Sequence, residues 1–312
     1  MTISYYRGQQ WMRKDGAVQV NITGGRPVSW ANVLPNITMA THVISSGYMK
    51  VKPGCHVSVG HQTGLVPENI DLTPTTPDGK PNRTFFFLGQ AVARYYAARK
   101  SAMSGMHMVG RNNYVVASEC YASQGGERYR GKYPTCGSST ATYLPSPNVG
   151  CCVEEPVEYE QYLHMLSNSN FSLNIKGGDS GSSRTFDAIL AGTPQFIVSD
   201  GFMWFYAPFP CTVPWWKFTK VMKQSSFMRN TVAAMTEALD HAQPQRAAMK
   251  KMQDSYKDDL LWVSRHSLSA NNLLVQATKQ CLPRRFDSKT PAAKRSLGSV
   301  KSHKCVNQVM KI

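Results

Sequence analysis

The chain has 312 residues, 42% of them hydrophobic, which is enough for about two domains and a sizeable core. Its 35 basic and 19 acidic side chains leave a net charge of +16, which favours anionic partners such as nucleic acid, acidic glycans or phosphorylated ligands. No stretch reaches the roughly 20 apolar residues of a membrane span, the opening MTISYYRGQQWMRKDG lacks the apolar run of a signal peptide, and no CxxC pair stands among the eight cysteines to suggest zinc.

Residues 1 to about 80 are rich in Gly, Pro, Thr and Val, with β-like runs such as GAVQVNI and HVISSGYMKV between turn signals. Leu72–Asn82, LTPTTPDGKPN, reads as a loop or linker. RTFFFLG is an apolar run of strand length ending in Gly89, and QAVARYYAARKSAMSG after it reads as a helix. NYVVASE is a second strand, and residues 122–150 read as a long loop. PVEYEQYLHMLSNS reads as a helix with Pro in its first turn, and NFSLNIK as a short strand. SSRTFDAILAG starts with serine capping candidates and stops at Gly192, as helices do. TPQFIVSD is another buried strand. This alternation indicates a parallel α/β sheet. In PQRAAMKKMQDSYKDDLLWVSR, residues Met249, Met252, Tyr256 and Leu260 share one helix face, a core-packing stripe. The tail from Pro283 to Ile312 carries +7 and no apolar periodicity, which reads as a disordered basic tail. With nearly half the excess charge there, nucleic acid is not the expected partner. Sequons at Asn21, Asn36, Asn82 and Asn170 give weak support to a secretory route.

The chemistry centres on GGDSGSSR, between the strand FSLNI and the next helix. In an open parallel sheet, ligands bind at the carboxyl ends of the strands, and glycines there allow close backbone approach. Gly177, Gly178, Asp179, Ser182 and Ser183 form the loop. Arg184 can neutralise a diphosphate, and Asp187, one turn on, can accept hydrogen bonds from ribose hydroxyls. The other reading is a plain strand-to-helix loop with an exposed Arg–Asp pair. Neither GxxxxGK[ST] nor GxGxxG is present.

The stretch YLHMLSNSNFSLNIKGGDSGSSRTFDAILAGTPQFIVSDGFMWFYAPF resembles the donor-binding segment of exostosin-like glycosyltransferases. The matching positions include Tyr162, Ser169, Phe171, Leu173, Gly178, Asp179, Ser183, Arg184, Phe186, Asp187, Ala188, Gly192, Pro194, Asp200, Pro208 and Phe209. Upstream, RTFFFLGQAVARYYAARKSAM is similar to the family's first strand and helix of the same domain, with Gly89 ending the strand and Arg99 matching a later arginine. VKPGCHVSVGHQTGLVPE resembles the segment that leads into the linker. Departures are Lys176 and Gly181 near the places of the Pro before the family's glycine and of a Cys in its serine run, His56 or Val57 in place of an Asp, and KDGAVQVNITGG where an Asp-His pair is expected.

The resemblance implies an α/β fold of GT-B type, two Rossmann-like domains with the N-terminal one truncated. Residues 1–75 would be the partial acceptor-side domain, 76–82 the linker, 83–281 the nucleotide-sugar-binding domain and 282–312 the tail. It implies an inverting transferase that moves a sugar from a nucleotide diphosphate sugar, a UDP-sugar, to a glycan or glycoprotein acceptor. The implied donor site is Gly89, Arg99, Gly177, Gly178, Asp179, Ser182, Ser183, Arg184 and Asp187. Inversion needs a base for the acceptor hydroxyl and positive charge for the leaving diphosphate. Arg184 and Arg99 can supply the charge, and no Asp-x-Asp metal motif occurs, so neither metal nor cofactor is expected. Asp200, at a strand end, is the candidate catalytic base, with turn capping as its other reading. The Golgi lumen follows from the family, with any membrane anchor upstream of this chain. The alternative is a catalytically inactive homologue that binds a glycan or a partner protein; the short N-terminal region and the missing Asp-His pair favour it.

Overall fold

The structure, a computed structural model, describes residues 39–41, 56–58, 70–74, 78–81, 83–89, 97–105, 114–119, 150–153, 157–177, 182–210, 212–261, 266–269 and 271–272. Strands β1 (Met39–Thr41) and β2 (His56–Ser58) form a parallel pair. The β-like runs GAVQVNI and HVISSGYMKV, the 122–149 loop and the basic tail lie outside the described residues.

The main body is a six-stranded parallel sheet. Its strands are β3 (Arg83–Leu88), β4 (Tyr114–Glu119), β5 (Gly150–Val153), β6 (Ser169–Ile175), β7 (Gln195–Val198) and β8 (Thr219–Met222). They lie in the order β5-β4-β3-β6-β7-β8, all parallel. Counted from β3, that is the 3-2-1-4-5-6 order of the doubly wound fold. The chain winds outward from β3 to β5, crosses back, and winds outward again from β6 to β8. The α/β reading therefore holds, and the reversal falls between β3 and β6.

Helices follow the strands. These are α1 (Ala97–Gly105), α2 (Tyr159–Ser167), α3 (Arg184–Leu190), α4 (Gln224–Arg229), α5 (Thr231–Ala242), α6 (Arg246–Ser255) and α7 (Lys257–Leu260). A sheet covered on both faces buries both sides of each central strand, so its strands read as unbroken apolar runs. In β3, Phe85 and Phe87 pack in one core with Ala98, Ala102 and Met103 of α1. Phe86 and Leu88 pack in the other with Tyr162, Leu163 and Leu166 of α2. The FFF run thus feeds two cores.

Several boundaries differ from the sequence reading. The four-residue strands β5 and β8 carry no alternation and were not anticipated. Helix α2 begins at Tyr159, behind Glu158, rather than at the proline. The methionine stripe is split at Tyr256 between α6 and α7, yet Met249 and Leu260 are buried in the first core as expected. Described parts of the Leu72–Asn82 stretch lie in neither helix nor strand. There the Asp71 carboxylate accepts from Thr73 N–H, Asp78 accepts from Lys80 N–H, and Gly79 takes φ +64°. The Asn170 sequon lies in β6 with Phe171 and Ser172 buried, a poor place for a glycan.

Candidate functional site at the topological switch point

A reversal of winding leaves a crevice at the carboxyl ends of the two strands that flank it, because their following segments depart to opposite faces. Here those ends are Leu88-Gly89 of β3 and Ile175-Lys176-Gly177 after β6. Arg99 and Arg184 both bond to backbone carbonyls at this edge, with Gly89 beside Arg184, whereas Asp187 and Asp200 find their partners elsewhere.

Arg99 reaches it from the α1 face. It is 5% exposed, its Nε and Nη2 donate to the Ile175 carbonyl at 3.2 and 3.1 Å, and its guanidinium stands 5.8 Å from the Phe87 ring centroid. Arg184 reaches it from the α3 face. Its Nε donates to the Leu88 carbonyl of β3, and its backbone N–H and Nη1 both lie within reach of Ser182 Oγ, at 3.3 and 3.4 Å. Arg184 thereby ties the first residue of α3 back across the reversal to β3. Gly89 makes that possible: a Cβ there would come within 2.8 Å of the guanidinium.

Ser183 holds the N-cap position of α3, where its carbonyl accepts from Phe186 and Asp187 N–H at 2.8 and 3.1 Å and its side chain makes no capping bond. Gly178 and Asp179 lie outside the described residues, between Gly177 and Ser182.

Asp187 corrects one reading. It is not half of an exposed Arg–Asp pair. It is 5% exposed, and Tyr159 Oη, from the first turn of α2, donates to its Oδ1 at 2.8 Å. Burial pushes its pKa up to about 6, against the opposing pull of the Tyr159 hydroxyl and the Arg184 charge. Tyr159 was missed in the sequence because nothing local announces its partner; only the packing of α2 beside α3 does.

A buried polar chain lies under the same helix. Ser172 Oγ donates to Asn174 Oδ1, Asn174 Nδ2 to Gln195 Oε1, and Gln195 Nε2 to the Thr185 carbonyl. It fixes the first turn of α3 over β6 and β7. Asp200, exposed at the end of β7, accepts the Gln224 N–H of α4 through Oδ1 at 2.8 Å. A π-helical turn, Phe202–Tyr206, follows it, and Phe209 takes the left-handed region at φ +49°. Trp215 Nε1 donates to the Pro208 carbonyl beside it. Among the described residues no group of three His, Cys, Asp or Glu is placed to hold a metal ion, and no helix is long and apolar enough to cross a membrane.

No protein-family model and no curated protein matches the chain. Among solved structures it is similar to the spinosyn forosaminyltransferase SpnP, at 14% identity over 76% of this chain and 55% of that one, TM-score 0.36. It is similar to a sucrose-phosphate synthase from Thermosynechococcus elongatus, at 12% identity over 77% and 54%, TM-score 0.43. A third is the glycosyltransferase SnogD from Streptomyces nogalater, at 11% identity over 72% and 51%, TM-score 0.33. The chain spans about half the length of each of these proteins.

Proposed function

We propose that this chain carries the donor half of a GT-B glycosyltransferase and moves a sugar from a nucleotide diphosphate sugar, a UDP-sugar by its resemblance, to a glycan acceptor. One observation carries the reading. Arg184 of the segment that resembles a donor site, and Gly89 and Arg99 of the upstream stretch that shares the resemblance, lie at the reversal of a doubly wound sheet, where such folds bind nucleotides.

The chemistry follows from the parts. In a single displacement the acceptor oxygen forms a bond to the anomeric carbon as the bond to the diphosphate oxygen breaks. The acceptor proton passes to a base, and negative charge gathers on the departing diphosphate. Arg99 and Arg184 flank the crevice from opposite faces and set a positive potential there before any ligand enters. Asp187 is the acceptor for the ribose diol, and Asp200 is the candidate base, one carboxylate oxygen anchored on α4. The acceptor side would come from residues before about 75.

The test is binding before turnover. Calorimetry with UDP, GDP and TDP should give one clear preference, and Arg184→Ala should weaken that nucleotide by about tenfold or more, the worth of a charge-assisted hydrogen bond to phosphate. A folded Arg184→Ala protein with unchanged affinity removes Arg184 from the site. Nucleotide binding without transfer to any glycan in a panel would instead point to a binding protein on the same scaffold.

A further inference from the structure

Both arginines at the switch point are already engaged with backbone carbonyls, Arg99 with Ile175 and Arg184 with Leu88. A third cation stands at the same edge. Lys176 is the residue that directly follows β6. Its direction is fixed by the pleat. Along β6, Phe171 lies opposite Phe85 in register, and Leu173 and Ile175 alternate in step with it, so the three share the face on which Phe85 and Phe87 meet Ala98, Ala102 and Met103 of α1. Ser172 and Asn174 alternate to the other face, where their hydrogen-bond chain runs through Gln195 to the Thr185 carbonyl of α3. Lys176 N–H still bonds the Val198 carbonyl of β7, at 3.1 Å, so the alternation continues one residue past the strand. Parity therefore puts the Lys176 side chain on the α3 face, the side from which Arg184 enters.

Lys176 is half-buried, and among the described residues its ammonium has no carboxylate and no hydrogen-bond acceptor. At an edge that already carries two guanidiniums, this ammonium adds to the positive potential that an anion would meet. A lysine is a flexible point charge with three donors, suited to follow a phosphate whose charge changes in a reaction.

We propose that Lys176 is a phosphate-binding residue of this site, contacting the diphosphate of the donor and stabilising it as it leaves. This rests on reading the switch point as the donor site, and the experiment separates the two. Inorganic pyrophosphate, uridine, UMP and UDP are titrated into the parent protein, Lys176→Met and Lys176→Arg, with thermal melts to establish that each variant is folded. The expected result is a loss of about tenfold or more in UDP and pyrophosphate affinity in Lys176→Met, no change for uridine, and substantial recovery in Lys176→Arg. A merely structural role for Lys176 would lower affinity for uridine and UDP alike. Parent-like UDP binding by Lys176→Met overturns the Lys176 assignment and leaves the donor site standing. Pyrophosphate binding that depends on Lys176, without binding of any nucleotide, upholds Lys176 as an anion ligand and overturns the nucleotide-sugar reading. Absence of binding by the parent to pyrophosphate and nucleotides overturns both.

Discussion

The side chain with most to say is Asp187. A carboxylate that is 5% exposed, with a pKa near 6, is held at a cost. The folded pKa lies above the ordinary 3.8, so the native state holds more protons than the unfolded chain between about pH 4 and 6. Stability from this group therefore falls as pH rises through that window, by on the order of 3 kcal/mol in full. Asp187→Asn keeps an acceptor for Tyr159 but cannot ionise. Its melting temperature should match the parent's near pH 4 and exceed it by several degrees at pH 7. Tyr159→Phe removes a bond that favours the carboxylate, so its loss of stability should begin from the same acid limit and extend to higher pH than the parent's. Parallel melting curves for parent and Asp187→Asn from pH 4 to 7 would show that the carboxyl titrates normally.

At the level of elements, α3 is a seven-residue helix whose two ends serve different purposes. Its first residue, Arg184, reaches to β3; its last carbonyls are taken by side chains of α6 and α7. Lys257 Nζ donates to the Leu190 carbonyl at 2.9 Å, Lys250 Nζ to that of Gly192 at 3.1 Å, and Gln253 Nε2 to those of Ala188 and Thr193 at 3.2 Å. Cations at a carboxyl end suit the helix dipole. Burial lowers the Lys257 pKa, but the carbonyl it holds needs a donor. Gly192 sits at φ +66°, and a Cβ there would run into Lys250 Nζ. Gly192→Ala should therefore cost about 1–2 kcal/mol from the left-handed backbone alone, read by urea unfolding as a lower midpoint. An unchanged midpoint would mean that this turn relaxes freely.

The same helix shows what the sequence makes legible. Its start, its glycine stop and the glycine-rich loop before it are local signals, so Arg184 and Gly192 could be placed without a structure. The Tyr159–Asp187 bond and the clasp from Lys250, Gln253 and Lys257 join segments 28 to 67 residues apart. Those contacts are set by helix packing, to which no periodicity points. Strands β5 and β8 were hidden for another reason: GCCV and TKVM are too short to show a period. Arg99 and Gly89 were found through resemblance, whereas the reason Gly89 is needed, the guanidinium lying over it, required coordinates.

For the molecule as a whole, the site exists only while β3 and β6 stay side by side. Their pairing closes the sheet between two right-handed windings that run in opposite directions, and it sets Leu88 against the end of β6. Three rings hold that seam from below. Phe171 of β6 lies opposite Phe85 of β3 in register, with ring centroids 6.3 Å apart. Phe171 also stacks on Phe196 of β7 at 4.6 Å and 15°, and Phe196 meets Phe85 at 5.4 Å. All three are 0% exposed. Phe171→Ala should leave a cavity that neighbouring strands cannot fill, because their backbones are fixed by the ladder on both sides. The expected loss is about 3–5 kcal/mol of stability, seen as a much lower urea midpoint with the slope unchanged. Nucleotide binding should fall in step with the folded fraction. Phe171→Leu keeps most of the volume and should lose far less of both. If Phe171→Ala instead unfolds like the parent but no longer binds, the ring acts on the crevice alone. The seam would then be held by the hydrogen-bonded ladder, and the aromatic triad would have to be read as part of the site.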